Sequence, residues 1–122
     1  MADHCISLYP YEACGILAGI ENRAEDIYPV KNMEPSPVSY LMDTADQFRI
    51  LKEIRAADLR MIAIFHSHPA SQAYPSPKDV ELAFYDDVFY IIVGLLDKTA
   101  ADIRVFRIVD GNVEEAVIRP AD

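Results

Sequence analysis

The sequence predicts a mixed α/β domain of the α+β kind, one β-sheet layered against helices, and three observations predict it. Apolar runs too short for amphipathic helices recur at 13–19, 61–65 and 89–95, as strands buried in a sheet do. A helical period runs through 44–57, where Phe48, Leu51 and Ile54 fall on one face. Two strand-like stretches, Ile103 to Val109 and Val113 to Ile118, flank Asp110-Gly111, the dipeptide of a tight hairpin. Strands and helices interleave along the chain, which points to packed layers of both.

Taken in order, residues 2–8 form a stub of helix halted before Pro10. Ala13-Cys14-Gly15-Ile16-Leu17-Ala18-Gly19 is apolar on both faces and reads as a buried strand. A second strand is expected around 25–31. Met33-Glu34-Pro35-Ser36-Pro37 reads as loop, because its prolines lack amide donors. Asp43 or Thr44 can cap the helix over 44–57. Met61 to Phe65 follows as a short strand. Ser76-Pro77-Lys78-Asp79 then opens a helix over 77–85, with Ser at the N-cap, Pro at N1 and an acid at N3. Residues 89–95 make a buried strand, and the hairpin closes the chain.

The 122 residues, 52% of them apolar, suit one domain over 1–122, large enough to bury about two-thirds of its unfolded surface without disulfide staples. Eleven basic against twenty acidic side chains leave a net charge of −9. That charge repels phosphate and excludes nucleic acid and anionic membranes as favoured partners. The longest apolar run, Val88 to Leu96, is too short for a membrane-spanning helix, which needs about 20 residues. The N-terminus lacks the basic and apolar regions of a secretory signal. Cys5 and Cys14 are too few for a disulfide framework, so a reducing, cytoplasmic compartment is expected.

Chemistry concentrates in Phe65-His66-Ser67-His68-Pro69 and, a short loop later, Ser76 and Asp79. Residues i and i+2 of a strand share a face, so His66 and His68 present two imidazoles to one point. Pro69 ends the strand and leaves the pair at its edge. Asp79 adds a harder oxygen ligand from the next helix. Two His and one carboxylate leave the fourth position of a tetrahedral zinc open, as catalytic sites do. A plainer reading stays open on these residues alone. Ser76 and Asp79 satisfy a capping box without any metal, and the histidines can be polar edge residues. Economy favours the metal, since two of only three histidines stand at ligand spacing beside the capped aspartate.

His66-Ser67-His68, seven residues, Ser76, two residues, Asp79 resembles the JAMM (MPN-plus, Mov34) zinc metallopeptidase signature, and Pro10 to Gly19 is similar to the segment that carries the family's upstream glutamate. The likeness extends through Val109-Asp110-Gly111. It implies the JAB1/MPN fold, a sheet between helices related to the cytidine deaminases. It implies that His66, His68 and Asp79 bind Zn2+. It further implies that Glu12 is the general acid/base and that Ser76 donates a hydrogen bond to the oxyanion. Glu12 lies 54 positions before His66, so its role comes from the resemblance alone. Glu12-Ala13-Cys14-Gly15, Ala73-Tyr74-Pro75-Ser76 and Arg107 to Gly111 most resemble the bacterial, CysO-cysteine-peptidase-like branch. That branch implies hydrolysis of an amide at the Gly-Gly tail of a ubiquitin-like sulfur-carrier protein, with cysteine released. Members begin with a strand and a longer helix, whereas nine residues precede Pro10 here; the chain is expected to lack that strand and part of that helix.

Other readings compete for the same residues. A non-catalytic MPN scaffold would ordinarily lack some of the five positions kept here. A two-His-one-carboxylate iron oxygenase belongs in an all-β barrel. A deaminase needs a Pro-Cys-x-x-Cys that the chain lacks. Cys14 as a nucleophile competes with its reading as a small buried residue of a strand. Tyr74, beside the metal loop, is a candidate contact for a substrate tail.

Overall fold

The computed structural model describes residues 1–21, 23–33, 36, 40–97 and 99–117. Its elements are α1 (Ala2–Ser7), β1 (Cys14–Ile20), β2 (Arg23–Val30), α2 (Thr44–Ala56), β3 (Arg60–His68), α3 (Pro77–Glu81), β4 (Phe89–Gly94), β5 (Asp102–Val109) and β6 (Asn112–Ala116). The six strands form one sheet in the order β2-β1-β3-β4-β5-β6. Among the described strands only β3 and β4 pair in parallel, and a parallel pair needs a crossover. The crossover here carries α3, so it returns past the end of β3 where the histidines stand.

Strand alternation divides the core between the two faces of the sheet. One face holds Ala63, Phe65, Ile91 and Val93 under Cys5 of α1. The other holds Cys14, Ile16 and Ala18 against Ile50 and Ile54 of α2, with Ile64, Ile92 and Phe106 alongside. Ile50 and Ile54 are almost fully buried; each such side chain contributes about 1.5–3 kcal/mol to docking the helix. Asp43 caps α2 by accepting from the Ala45 N–H at 3.1 Å. Phe48, placed by its spacing on the buried face, instead stands 64% exposed. Gly15 admits the Phe65 ring where any Cβ would collide with it.

Of three further expectations, one changes. The strand opened by the apolar run 61–65 continues through His68, in keeping with Pro69 as its end; Cys14 of β1 pairs with His66 while Gly94 of β4 pairs with His68. Those partners are far away in sequence, so the local apolar run understates the strand. The helix read over 77–85 stops at Glu81. The Tyr85 N–H donates to the Tyr90 hydroxyl at 3.0 Å, taking the backbone out of the helical ladder. The terminal hairpin stands as expected: Asp110 and Gly111 both have positive φ, 51° and 78°, the two left-handed residues a type I′ turn requires. Ile118, Glu34, Pro35 and Pro37 lie outside the described residues.

Candidate metal centre

His66 and His68 leave the last turn of the β3 pleat on the α2 face, both nearly inaccessible to solvent. Their Nε2 atoms are 3.1 Å apart. Asp79, at the start of α3, reaches across with Oδ1 3.2 Å from His66 Nε2 and Oδ2 3.0 Å from His68 Nε2. One ligand atom from each residue lies within 4.8 Å of the others. Three donors therefore converge on one point, and the set can hold a metal ion. The donor chemistry, two imidazole nitrogens and a carboxylate, suits zinc.

The surroundings orient these donors. His68 Nδ1 is 2.8 Å from the Gln72 carbonyl. A carbonyl only accepts, so Nδ1 carries the proton and Nε2 is left to face the centre. Tyr40 stacks on the His66 ring at 4.7 Å and 27°. Ser76 and Asp79 form a complete capping box: the Asp79 N–H donates to Ser76 Oγ at 3.1 Å, and the Ser76 N–H donates to Asp79 Oδ2 at 2.9 Å. The cap thus presets the carboxylate that points at the histidines. The Ser76 hydroxyl accepts through its oxygen and keeps its hydrogen to donate.

Electrostatics follow from this packing. Burial opposes ionisation of Asp79, yet hydrogen bonds with His66 and His68, with further help from the Ser76 N–H, hold it well below the usual carboxylate range. Burial, outweighing the bond to Asp79, lowers His66 and so favours the neutral form that a metal ligand requires. For His68 burial is outweighed by the bonds to Asp79 and the Gln72 carbonyl, and its value is raised.

Glu12 enters from the segment between α1 and β1. Its backbone N–H donates to the Ser36 carbonyl at 2.7 Å, and its carbonyl accepts from Asn32 Nδ2 at 2.9 Å. The residue is 3% exposed, and Oε1 has no hydrogen-bond partner among the described residues. Burial pushes this carboxyl up to about 7, with the charges of His68 and Asp79 also acting on it. The fold therefore brings Glu12 into the electrostatic reach of the three-residue group.

Residues 1–109 match the family described as prokaryotic homologs of the JAB domain (Prok-JAB). The chain belongs to this family. Among its relatives, the CysO-cysteine peptidase of Mycobacterium tuberculosis is 41% identical over 117 residues, 94% of this chain and 80% of that one. A probable TtuB-protein conjugate cleaving protease of Thermus thermophilus is 33% identical over 116 residues, 94% and 74% of the two chains. The solution structure of a Desulfitobacterium hafniense protein superposes with a TM-score of 0.86 at 34% identity, covering 95% of this chain and 82% of that one. A JAB1/MPN domain protein from Archaeoglobus fulgidus, at 16% identity and a TM-score of 0.63 over 99% and 86% of the chains, shares the fold. The α+β sheet between helices is thus the JAB/MPN arrangement.

Within that fold, Ser67 does something its place in the sequence conceals. It stands between the two histidines, so period 2 turns its side chain to the opposite face. There its Oγ accepts from the Ala13 N–H at 2.8 Å, while its own N–H donates to the Ala13 carbonyl at 3.0 Å. This double bond pair fastens the Glu12 segment to the strand that carries His66 and His68. Ser67→Ala strips the buried Ala13 N–H of its partner, and about 1–3 kcal/mol of stability is expected to go with it. Urea titration reads that loss directly, and an unchanged midpoint would refute the fastening role. Tyr40 and Gln72 were equally invisible as supports, each a lone residue in a loop.

Cys14 is completely buried, its Sγ 3.5 Å from the Val30 carbonyl, and burial pushes the thiol up to about 12. A protonated, inaccessible thiol cannot serve as a nucleophile. Tyr74 is half exposed on the loop before α3, with its ring edge against Phe106 at 5.4 Å. Among the described residues no helix is long and apolar enough to cross a membrane.

Proposed function

We propose that this protein is a zinc-dependent cytoplasmic peptidase that hydrolyses an amide at the C-terminal Gly-Gly tail of a ubiquitin-like or sulfur-carrier protein, with cysteine among the residues released. The observation that carries this reading is the convergence of His66, His68 and Asp79 on one point with a buried carboxylate at Glu12 whose Oε1 has no hydrogen-bond partner among the described residues. Relatives named for cleaving CysO-cysteine and TtuB conjugates support the substrate class. A domain kept only to bind partners has no use for a buried carboxylate without a hydrogen bond, which costs it stability.

Zinc held by His66, His68 and Asp79 would act as a Lewis acid and bring the pKa of a water to about 7. Glu12 takes a proton from the attacking water, whose oxygen bonds to the amide carbon. Glu12 then gives the proton to the nitrogen as the carbon–nitrogen bond breaks, turning a poor leaving group into a neutral amine. The Ser76 hydroxyl donates its free hydrogen to the oxyanion; one such donor is typically worth about 10²–10³ in rate. His68 is held in register by Gln72, and Asp79 by the cap, so these groups need little reorganisation.

The test is direct. A carrier protein bearing a C-terminal Gly-Gly-cysteine amide link is incubated with the zinc-loaded protein and followed by mass spectrometry. Loss of one cysteine, stopped by a chelator and restored by zinc, is the expected result. An intact adduct at every metal load would overturn the assignment.

A further inference from the structure

Asn32 stands between the end of β2 and the start of α2, and its side chain makes two bonds at once. Nδ2 donates to the Glu12 carbonyl at 2.9 Å, and Oδ1 accepts from the Leu41 N–H at 2.9 Å. A carbonyl only accepts and an N–H only donates, so the amide has a single satisfied orientation. The backbone around it is paired as well. The Met33 N–H donates to the Leu41 carbonyl at 2.7 Å, the Asp43 N–H donates to the Lys31 carbonyl at 2.9 Å, and Asn32 bridges Met42 in antiparallel fashion. Residues 31–33 and 41–43 therefore form a short ladder. It is anchored to α2, where Asp46 Oδ2 accepts from the Lys31 N–H at 2.9 Å.

This ladder reaches both parts of the candidate centre. Through Asn32 it holds Glu12, whose own N–H donates to the Ser36 carbonyl at 2.7 Å and whose neighbour Ala13 is fastened to β3 by Ser67. Through Tyr40, the residue before Leu41, it lies across the His66 ring at 4.7 Å and 27°. The two imidazoles differ in what orients them. A metal-ligating histidine is ordinarily fixed by a bond from its other ring nitrogen, and His68 has that bond, from Nδ1 to the Gln72 carbonyl. His66 Nδ1 is buried without a hydrogen-bond partner among the described residues. Stacking by Tyr40 takes the place at His66 that the hydrogen bond takes at His68.

We propose that Asn32 is a positioning residue with two separable effects: Nδ2 fixes the backbone from which Glu12 acts, and Oδ1, through Leu41, keeps Tyr40 against His66. The inference rests on the peptidase reading above and extends it. Asn32 itself touches neither the three donors nor the Glu12 carboxyl; it sets the acid/base and the ligand group in register with each other. Tyr40 acts through its ring, not its hydroxyl.

Four variants separate the two bonds. Each is measured for turnover of the cysteine adduct of a Gly-Gly carrier tail and, with zinc alone, for affinity in a chelator competition. Asn32→Asp keeps the acceptor for the Leu41 N–H and sets an oxygen against the Glu12 carbonyl. Its kcat is expected to fall about 10–100-fold, as misplacement of a reacting group does, with KM and zinc affinity unchanged. Tyr40→Ala is expected to weaken zinc binding about tenfold, the low end for loss of a ligand's orienting partner, and Tyr40→Phe to restore it. Asn32→Ala loses both bonds and is expected to show both effects; should it fail to fold, Asn32→Asp and Tyr40→Ala still decide each half. A wild-type kcat in Asn32→Asp, a fall in its zinc affinity, or a zinc affinity unmoved by Tyr40→Ala would overturn the inference and leave the peptidase reading standing. A wild type that cleaves no adduct would overturn both.

Discussion

His68→Ala is expected to lose both bound metal and turnover. His68 is held at both ring nitrogens: Nε2 faces His66 and Asp79, while Nδ1 is held by the Gln72 carbonyl. Removing groups that merely orient a ligand typically costs 10–100-fold in metal affinity; removing the ligand itself must cost more. The two remaining donors cannot close a tetrahedral site. Elemental analysis and a chelator competition on the variant should show less than a tenth of the wild-type metal, and cleavage of the carrier adduct should fall to background. The melting curve of metal-free protein controls for unfolding. A variant that keeps stoichiometric metal would remove His68 from the ligand set.

Glu12→Ala separates chemistry from binding. The variant should retain its metal, because the ligand atoms that converge belong to His66, His68 and Asp79 and not to Glu12. Turnover should fall by about 10²–10⁴, the usual contribution of a positioned acid/base, with KM little changed. Glu12→Gln should behave alike, since it keeps the shape and removes the proton acceptor. An active Glu12→Ala would show that another group moves the proton. Taken together, the two variants define a ligand that binds and a carboxylate that reacts.

The parts of this protein that were legible in its sequence are those governed by local chemistry. His66 and His68 share a face because a strand repeats every two residues, and Ser76 with Asp79 reads as a cap because both bonds close within four residues. The Asp110-Gly111 turn follows from the few residues that accept positive φ. What could not be read depended on partners distant along the chain. The neighbours of β3, with Cys14 pairing on one side and Gly94 on the other, join residues far apart in the chain. α3 ends early because a tyrosine from β4 claims the Tyr85 N–H. Glu12 was assigned only by family resemblance, since the Ser67–Ala13 bonds that fasten its segment to β3 join residues 54 positions apart. Its burial, and with it the raised carboxyl, has no local signature.

The account rests on one ion bound by two rings and a carboxylate at the end of β3. X-ray absorption on protein purified without chelator measures this most directly. One equivalent of zinc with a nitrogen and oxygen shell, including the multiple-scattering pattern of two imidazoles, is the predicted result. Protein without stoichiometric metal after zinc loading, or a shell containing sulfur, would contradict it.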